Sequence, residues 1–352
     1  MKRPAYDSPA MPITWPRLDY CSGTNEYVEV RPEMEEALRE YYRQSPEQAA
    51  KEYGDDPFEL KNILDRWVRS KDQGSHFIPT DTVYVTIDKE AVRKSGMMMA
   101  ADSIPDRMVI SLAGKRALYK GDLMMLELIA NANWTRPIYV ASTVGSENYM
   151  NLGDNFVQEG LASRITPFTT NKPGAKNFDT EKAYRNVTER FKFGNVSMPG
   201  IYLDETVTRM CYTHRSLLGR LAAALAGEGK TDKAQKVLAM AEKELPATNI
   251  PMTYMSGGHE IARGYILAGQ KDKARQTIDK VCGTAEQYVK WYLSLAGGKF
   301  ANMQDDCMTQ LYIINSMAEL AASTDPALSK KWGGKADGYY RQYLAKGGNA
   351  PR

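Results

Sequence analysis

Histidine and cysteine are scarce in this chain, with three of the first and four of the second in 352 residues. That leaves little material for a metal centre or a disulfide framework. Cys21, Cys211, Cys282 and Cys307 form no Cys-x-x-Cys or Cys/His pattern, the spacing a structural zinc site uses. They read as buried free thiols, with a disulfide as the alternative, and their wide spacing selects no redox compartment. His76, His214 and His259 are equally scattered and read as packing or surface groups. No metal and no cofactor is expected, and neither a nucleophile elbow nor a phosphate loop is present.

An excess of one charge is also missing. Forty-six basic residues face 43 acidic ones, a formal net charge of +3, so the concentrated positive field of a nucleic-acid binder is absent and no nucleic-acid partner is expected. Long apolar runs are lacking too. The best candidate, Leu123 to Ala130, is short and contains Glu127, whereas a membrane span needs about 20 apolar residues. The opening MKRPAYDSPAMPITWPRLDY has no apolar centre of a signal peptide. Pro4, Pro9, Pro12 and Pro16 make it an extended lead-in, and Met1 reads as an internal methionine of a longer protein.

What is present is enough for two domains. Residues 1–200 read as a mixed α/β domain with a small, largely parallel sheet, and residues 201–352 as an all-α, tetratricopeptide-like helical-repeat domain. Strand patterns occur at 26–30, 83–87, 108–112 and 137–142, and helix patterns at 32–44 and 57–70. In the second helix Leu60, Ile63, Leu64 and Trp67 form an apolar stripe. The order strand 108–112, helix 122–132, strand 137–142 favours a parallel crossover. Asp122 is expected to cap that helix rather than act as an acid. The run Met97-Met98-Met99 reads as adaptable packing rather than a metal box.

Beyond residue 200 strand patterns give way to helices with alanine-rich contacts and glycine turns. Gly229-Lys230-Thr231-Asp232-Lys233-Ala234 aligns with Gly269-Gln270-Lys271-Asp272-Lys273-Ala274, an offset of about forty residues that fits stacked helical hairpins. Ala222, Ala226, Ala262 and Ala268 would let paired helices approach, and Gly229 and Gly269 would end each first helix in left-handed geometry. Further helices are expected at 285–295, 304–322 and 326–344. Asp204 and Glu205 precede a helix over 206–225 and read as its N-terminal cap, with Arg209 pairing to Glu205, rather than as an acid/base pair.

The loop from Ser142 to Glu159 and its approach carry the strongest binding signal. Trp134, Tyr139 and Tyr149 offer flat apolar faces, and Asn148, Asn151, Asp154, Asn155 and Glu159 offer directional polar contacts, the mixture that a sugar-binding pocket uses. The plainer alternative is that the aromatics pack in the core and the Asn and Asp residues build turns. Asn133-Trp134-Thr135, Asn186-Val187-Thr188 and Asn195-Val196-Ser197 match the N-glycosylation sequon. Asp81-Thr82-Val83 and Asp102-Ser103-Ile104 match a short bacterial O-glycosylation acceptor pattern, although a turn before a strand explains Asp81-Thr82 equally well.

The ordered series PITWPRLDY at 12–20, GDLMMLELIANANWTRPIYVASTVG at 121–145, NYMNLGDNFVQEGLASRITP at 148–167 and PGIYLDETVTRMCYTHRSLLGRLAAALAGEGKTDKA at 199–234 resembles the C-terminal extracytoplasmic region of the bacterial domain-of-unknown-function 2723 membrane family. That family is similar to protein O-mannosyltransferases, glycosyltransferases that use lipid-linked sugars. The resemblance implies a location at the periplasmic face of the bacterial inner membrane. It implies catalysis in an upstream transmembrane half, which would be this segment's partner, with no catalytic residue here. It also implies a polypeptide or glycan acceptor. A free-standing, tetratricopeptide-like interaction scaffold of the cell envelope is the competing expectation, and a soluble carbohydrate-active enzyme working through Asp204 or Glu159 a third.

Overall fold

A computed structural model describes residues 27–70, 72, 74–97, 103–170 and 177–349. The proline-rich lead-in, Cys21, Met98, Met99 and Asp102 lie outside the described residues. The chain divides into two compact units, Met1–Asp179 and Thr180–Arg352, earlier than the change of sequence pattern near residue 200. Local bonds explain the position. The backbone of residues 177–179 bonds to Gln158, whereas Thr180 and Glu181 bind Glu228, Lys230 and Lys233 of the helical unit.

Among its described residues the first unit contains eight short strands: β1 (Tyr27–Val30), β2 (Phe77–Ile78), β3 (Thr82–Thr86), β4 (Arg107–Ser111), β5 (Ala117–Tyr119), β6 (Tyr139–Ala141), β7 (Phe156–Gln158) and β8 (Ala162–Ile165). They form three separate sheets, ordered β2-β1-β5, β3-β4 and β6-β8-β7. The largely parallel sheet expected from sequence is not observed, because among these strands only β1 and β2 pair in parallel. In β3, Val83 and Val85 are buried while Thr82, Tyr84 and Thr86 are not, and β4 alternates in the same way. Such one-sided strands suit an antiparallel pair with a solvated face, whereas parallel strands are covered on both sides. The expected crossover fails for a second reason. Ala117–Tyr119 forms β5 on β1 before the helix begins, and β6 pairs with β8 rather than β4.

Helices α1 (Glu35–Gln44), α2 (Pro46–Tyr53), α3 (Leu60–Asn62, continuing as a π-helical turn through Ile63–Val68), α4 (Lys89–Lys94) and α5 (Lys120–Ala132) complete this unit. The stripe Leu60, Ile63, Leu64 and Trp67 is buried as expected, with Trp67 stacked on Tyr53 at 4.5 Å and against Phe77 at 4.9 Å. Leu123, Leu126 and Ile129 of α5 join the same core. Asp122 does serve the helix start, one turn inside it. Its carboxylate accepts the Tyr119 N–H at 3.0 Å, and its charge sits at the positive end of the helix. Glu127, fully buried on α5, accepts hydrogen bonds from Arg69 at 3.2 Å and from the Asn131 amide at 2.9 Å.

The second unit is helical: α6 (Thr180–Arg185), α7 (Glu205–Gly227), α8 (Thr231–Glu244), α9 (His259–Leu267), α10 (Lys271–Ser294), α11 (Gly298–Ala301), α12 (Gln304–Ala321) and α13 (Pro326–Ala345). Two turns close hairpins in the same way. Gly229 and Gly269 stand at φ of 78° and 76°. Lys230 and Gln270 each donate a backbone bond to a carbonyl five residues back, Leu225 and Tyr265, at 2.9 and 2.8 Å. This is the left-handed helix ending for which glycine is suited. Ala222, Ala262 and Ala268 are buried and Ala226 partly so. α7 and α9 also meet closely at a glycine, since a Cβ at Gly219 of α7 would come within 2.5 Å of the Glu260 carbonyl carbon. The separate helix expected at 285–295 is the continuation of α10. Its interior Gly283 costs about 1 kcal/mol but does not stop a helix that is packed along its length. Among the described residues, no helix is long and apolar enough to cross a membrane.

Candidate functional site

The residues singled out in the first unit do not converge on one pocket. Trp134 is buried in the core at a left-handed backbone position, φ 58°, directly after Asn133 at 49°. It forms a wall of a recess of about 330 Å³ with Val85, Thr86 and Asp88. Tyr149 packs its ring edge-on against Phe156 at 4.9 Å and donates its hydroxyl to the Val144 carbonyl. Asn151, at φ 57°, donates its amide to the carbonyls of Ser111 and Ala113 at 2.9 and 3.3 Å. The Asn155 amide donates to the Phe168 carbonyl at 3.0 Å, and the Asp154 carbonyl receives both the N–H and the hydroxyl of Thr170. Asn148 donates to the neighbouring Glu147 carboxylate. These bonds build turns and pin an irregular chain onto the sheet above it.

Tyr139 and Glu159 are brought together. The hydroxyl of the partly exposed Tyr139 donates to buried Glu159 at 2.6 Å, and the guanidinium of Arg164, buried like Glu159, lies 3.8 Å from the same carboxylate while donating to the Ser95 carbonyl. Burial first, and then the Glu159 bond, push the Tyr139 phenol up to about 12. A phenol so held remains a hydrogen-bond donor at neutral pH and is no base. The trio therefore fastens β6 to β8 and the turn that follows β7.

A second site, not anticipated from the sequence, lies in the helical unit. A cavity of about 240 Å³ opens between the last turn of α8, the loop after it, α9 and the first half of α10. Leu245, Pro246, Met252 and Ile261 give apolar walls. On its polar side Glu242 accepts from the Tyr265 hydroxyl at 2.6 Å and from Lys273 at 2.7 Å. Desolvation, followed by the Glu242 bond, raises the Tyr265 phenol far above its ordinary range.

Arg215 forms the floor and is only 1% exposed. One guanidinium nitrogen donates to the carbonyls of Leu245 and Ile250 at 2.9 and 2.8 Å. The other donates to the Pro251 and Ser256 carbonyls and the Ser256 hydroxyl at 3.1 to 3.2 Å. Burial lowers its pKa to about 10, which still leaves it charged at neutral pH. The sequence did carry a signal: Arg215 stands one turn after buried Cys211 and one turn before buried Leu218, so a charge occupies the apolar stripe of α7. The glycines of the adjoining turn allow the close packing around it. Gly257 has φ 90°, and a Cβ there would meet the Ser216 backbone nitrogen at 2.8 Å.

The remaining candidates have structural places. Asp204 caps α7 by accepting the Val207 N–H at 2.8 Å, and Glu205 pairs with Arg209 at 2.6 Å. His214 lies against Phe191 and Phe193, His259 against Tyr254, and His76 bonds the Ser70 carbonyl. Cys211, Cys282 and Cys307 are free and buried. Among the described residues no group of three or more His, Cys, Asp or Glu is placed to hold a metal ion.

The family described as TMEM260-associated domain 2 matches residues 1–182, more than half of the chain. The chain belongs to that family. The match spans the first unit, including β1 to β8 and the Tyr139–Glu159–Arg164 trio, and ends within α6. The cavity floored by Arg215 lies in the helical unit, beyond the TMEM260-associated domain 2 match. No curated protein and no solved structure matches the chain.

Proposed function

We propose that this chain is an extracytoplasmic accessory module of a membrane glycosyltransferase-like protein, with catalysis in an upstream transmembrane half of the kind found in the domain-of-unknown-function 2723 family. In this reading it sits on the periplasmic face of the inner membrane. Its helical unit, a tetratricopeptide-like stack, holds a polypeptide acceptor at the cavity above Arg215. The observation that supports the membrane setting is the match to a domain family whose description names a transmembrane protein, in a chain whose described helices include none able to span a bilayer; the glycosyltransferase part rests on the sequence resemblance of residues 121–145 and 148–167. Chemistry at the cavity supports binding over bond making. Among the described residues its lining includes no histidine, cysteine or serine, the Thr277 hydroxyl donates to the Lys273 carbonyl, and its one carboxylate is bonded to Tyr265 and Lys273.

Fractionation of the native product with an antiserum to this chain tests the proposal. A polypeptide much larger than 39.4 kDa that stays with inner membranes through a high-salt wash is expected. A soluble product of the size of this chain would overturn it. That second outcome would favour a free-standing interaction scaffold, for which the two matching hairpin turns at Gly229 and Gly269 are the supporting feature.

A further inference from the structure

We infer that the cavity between α8, α9 and α10 is selective for a carboxylate attached to a short aliphatic group, as at the end of a peptide chain. This rests on the reading of the helical unit as the acceptor-binding part and adds the chemistry of what is bound.

Charge is the first ground. The charged residues lining the cavity are Arg215, Lys273, Lys280 and Glu242, three cations against one carboxylate. Glu242 is matched by Lys273 at 2.7 Å. Arg215 is satisfied only by carbonyl and hydroxyl oxygens, with no carboxylate among its bonds. Lys280 has no ion pair among the described residues. Two positive charges therefore remain without a carboxylate partner: Arg215 is buried among low-dielectric side chains, where it acts on an anion more strongly than in open water, and Lys280 stands exposed at the rim.

Shape is the second ground. A volume of about 240 Å³ is below the usual range for a drug-sized ligand. It equals roughly eight waters at about 30 Å³ each, enough for one aliphatic side chain and its carboxylate. Leu245, Met252 and Ile261 would cover the side chain. Lys280, exposed on the α10 side, is the cation at the rim, and Lys273 becomes a second one if it leaves Glu242.

The test is calorimetric titration of the full chain with three peptides: acetyl-Ala-Ala-Val-Leu with a free C-terminal carboxylate, the same peptide as its C-terminal amide, and acetyl-Ala-Asp-Val-Leu amide. Preference for the free acid over the plain amide supports the inference, and the aspartyl amide shows whether a side-chain carboxylate serves as well. K280Q should weaken the free acid about two- to fivefold, the range of one exposed ion pair. E242Q should strengthen it by a similar factor by releasing Lys273, and raised salt should reduce both differences. Equal affinity for acid and amide would overturn the inference while leaving a binding site in place. No binding by any peptide, or acid binding that ignores both variants, would overturn it as well. None of these results bears on the membrane setting, which fractionation decides separately.

Discussion

Replacing Arg215 by methionine, which keeps the length of the side chain and its apolar packing but removes the guanidinium, should destabilise the helical unit by about 3 kcal/mol. The magnitude follows from what is orphaned. The Pro251 carbonyl retains the Ser256 hydroxyl as a donor at 2.7 Å. The carbonyls of Leu245 and Ile250 lie beyond the end of α8 and, among the described residues, receive their side-chain donors from Arg215 alone, on residues that are themselves buried. Each buried acceptor left unpaired costs about 1–3 kcal/mol. Water admitted from the adjoining cavity relieves part of that cost, as does the end of the guanidinium's own desolvation. R215K should fall between wild type and R215M, since an ammonium has three N–H groups for an array that uses four. Urea unfolding followed by far-ultraviolet circular dichroism would give the stability. Hydrogen exchange across residues 245–258 would localise it, with protection lost there before α12 and α13 respond. If R215M and R215K both lose less than about 1 kcal/mol, solvent satisfies those carbonyls unaided, and Arg215 does not hold the loop.

Gly219→Ala should destabilise the α7/α9 contact by about 1–3 kcal/mol despite the better helix propensity of alanine, because its Cβ would meet backbone atoms of Glu260 and Ile261 that cannot move aside. Gly264→Ala should cost less, since its nearest neighbours, the flexible end of Leu238 at 3.1 Å and the Gly219 carbonyl oxygen at 3.2 Å, stand farther off, and urea midpoints of the two variants would rank them. Glu286 is desolvated, which raises its pKa, but bonds from Tyr339, Lys335 and Lys290 outweigh that and hold it below its ordinary value. Its contribution is therefore present above the unfolded-state pKa and lost as pH falls through the lower folded value. E286Q should flatten the stability profile below about pH 4.5 while costing on the order of 1 kcal/mol at neutral pH. Burial pushes the thiols of Cys282 and Cys307 up to about 12 and about 11. In a C21S variant, thiol titration at pH 8 should find no reactive cysteine until denaturant is added. Asn151→Ala should lower the melting temperature of the first unit, because its amide bonds the Ser111 and Ala113 carbonyls.

The elements that were legible in the sequence are those whose reasons are local. The α3 stripe, the Asp204 cap, the Glu205–Arg209 pair and the two glycine turns each need only residues within about one helical turn, and each stands as its local pattern requires. Strand pairing is not local. The alternation in residues 82–86 and 107–111 identifies one-sided strands, but nothing within either segment states its partner or direction. β5 is three residues long and exists because β1 accepts it. Arg215 shows the same limit. A charge within an apolar stripe is visible in the sequence, whereas its acceptors lie 30 to 41 residues away and, apart from the Ser256 hydroxyl, are backbone groups, which every residue possesses.

The same reasoning accounts for the loop from Ser142 to Glu159, whose amides, carboxylates and aromatic rings match what a sugar would require. They also match what an irregular chain requires when it crosses a core without a sheet ladder to satisfy its carbonyls. Met150 and Asn151 both lie in left-handed backbone, and the amides of Asn151 and Asn155 are spent on the carbonyls of residues 111, 113 and 168. A ligand seeking those amides would have to replace bonds already made, at about 1 kcal/mol each. The cavity above Arg215 presents the opposite condition. There the backbone is already satisfied by a buried cation, whose charge has no carboxylate partner among the described residues and lies beside a space of about 240 Å³. Composition alone favours the loop because it counts polar atoms. The balance turns to the helical unit once the atoms already bonded within the chain are set aside.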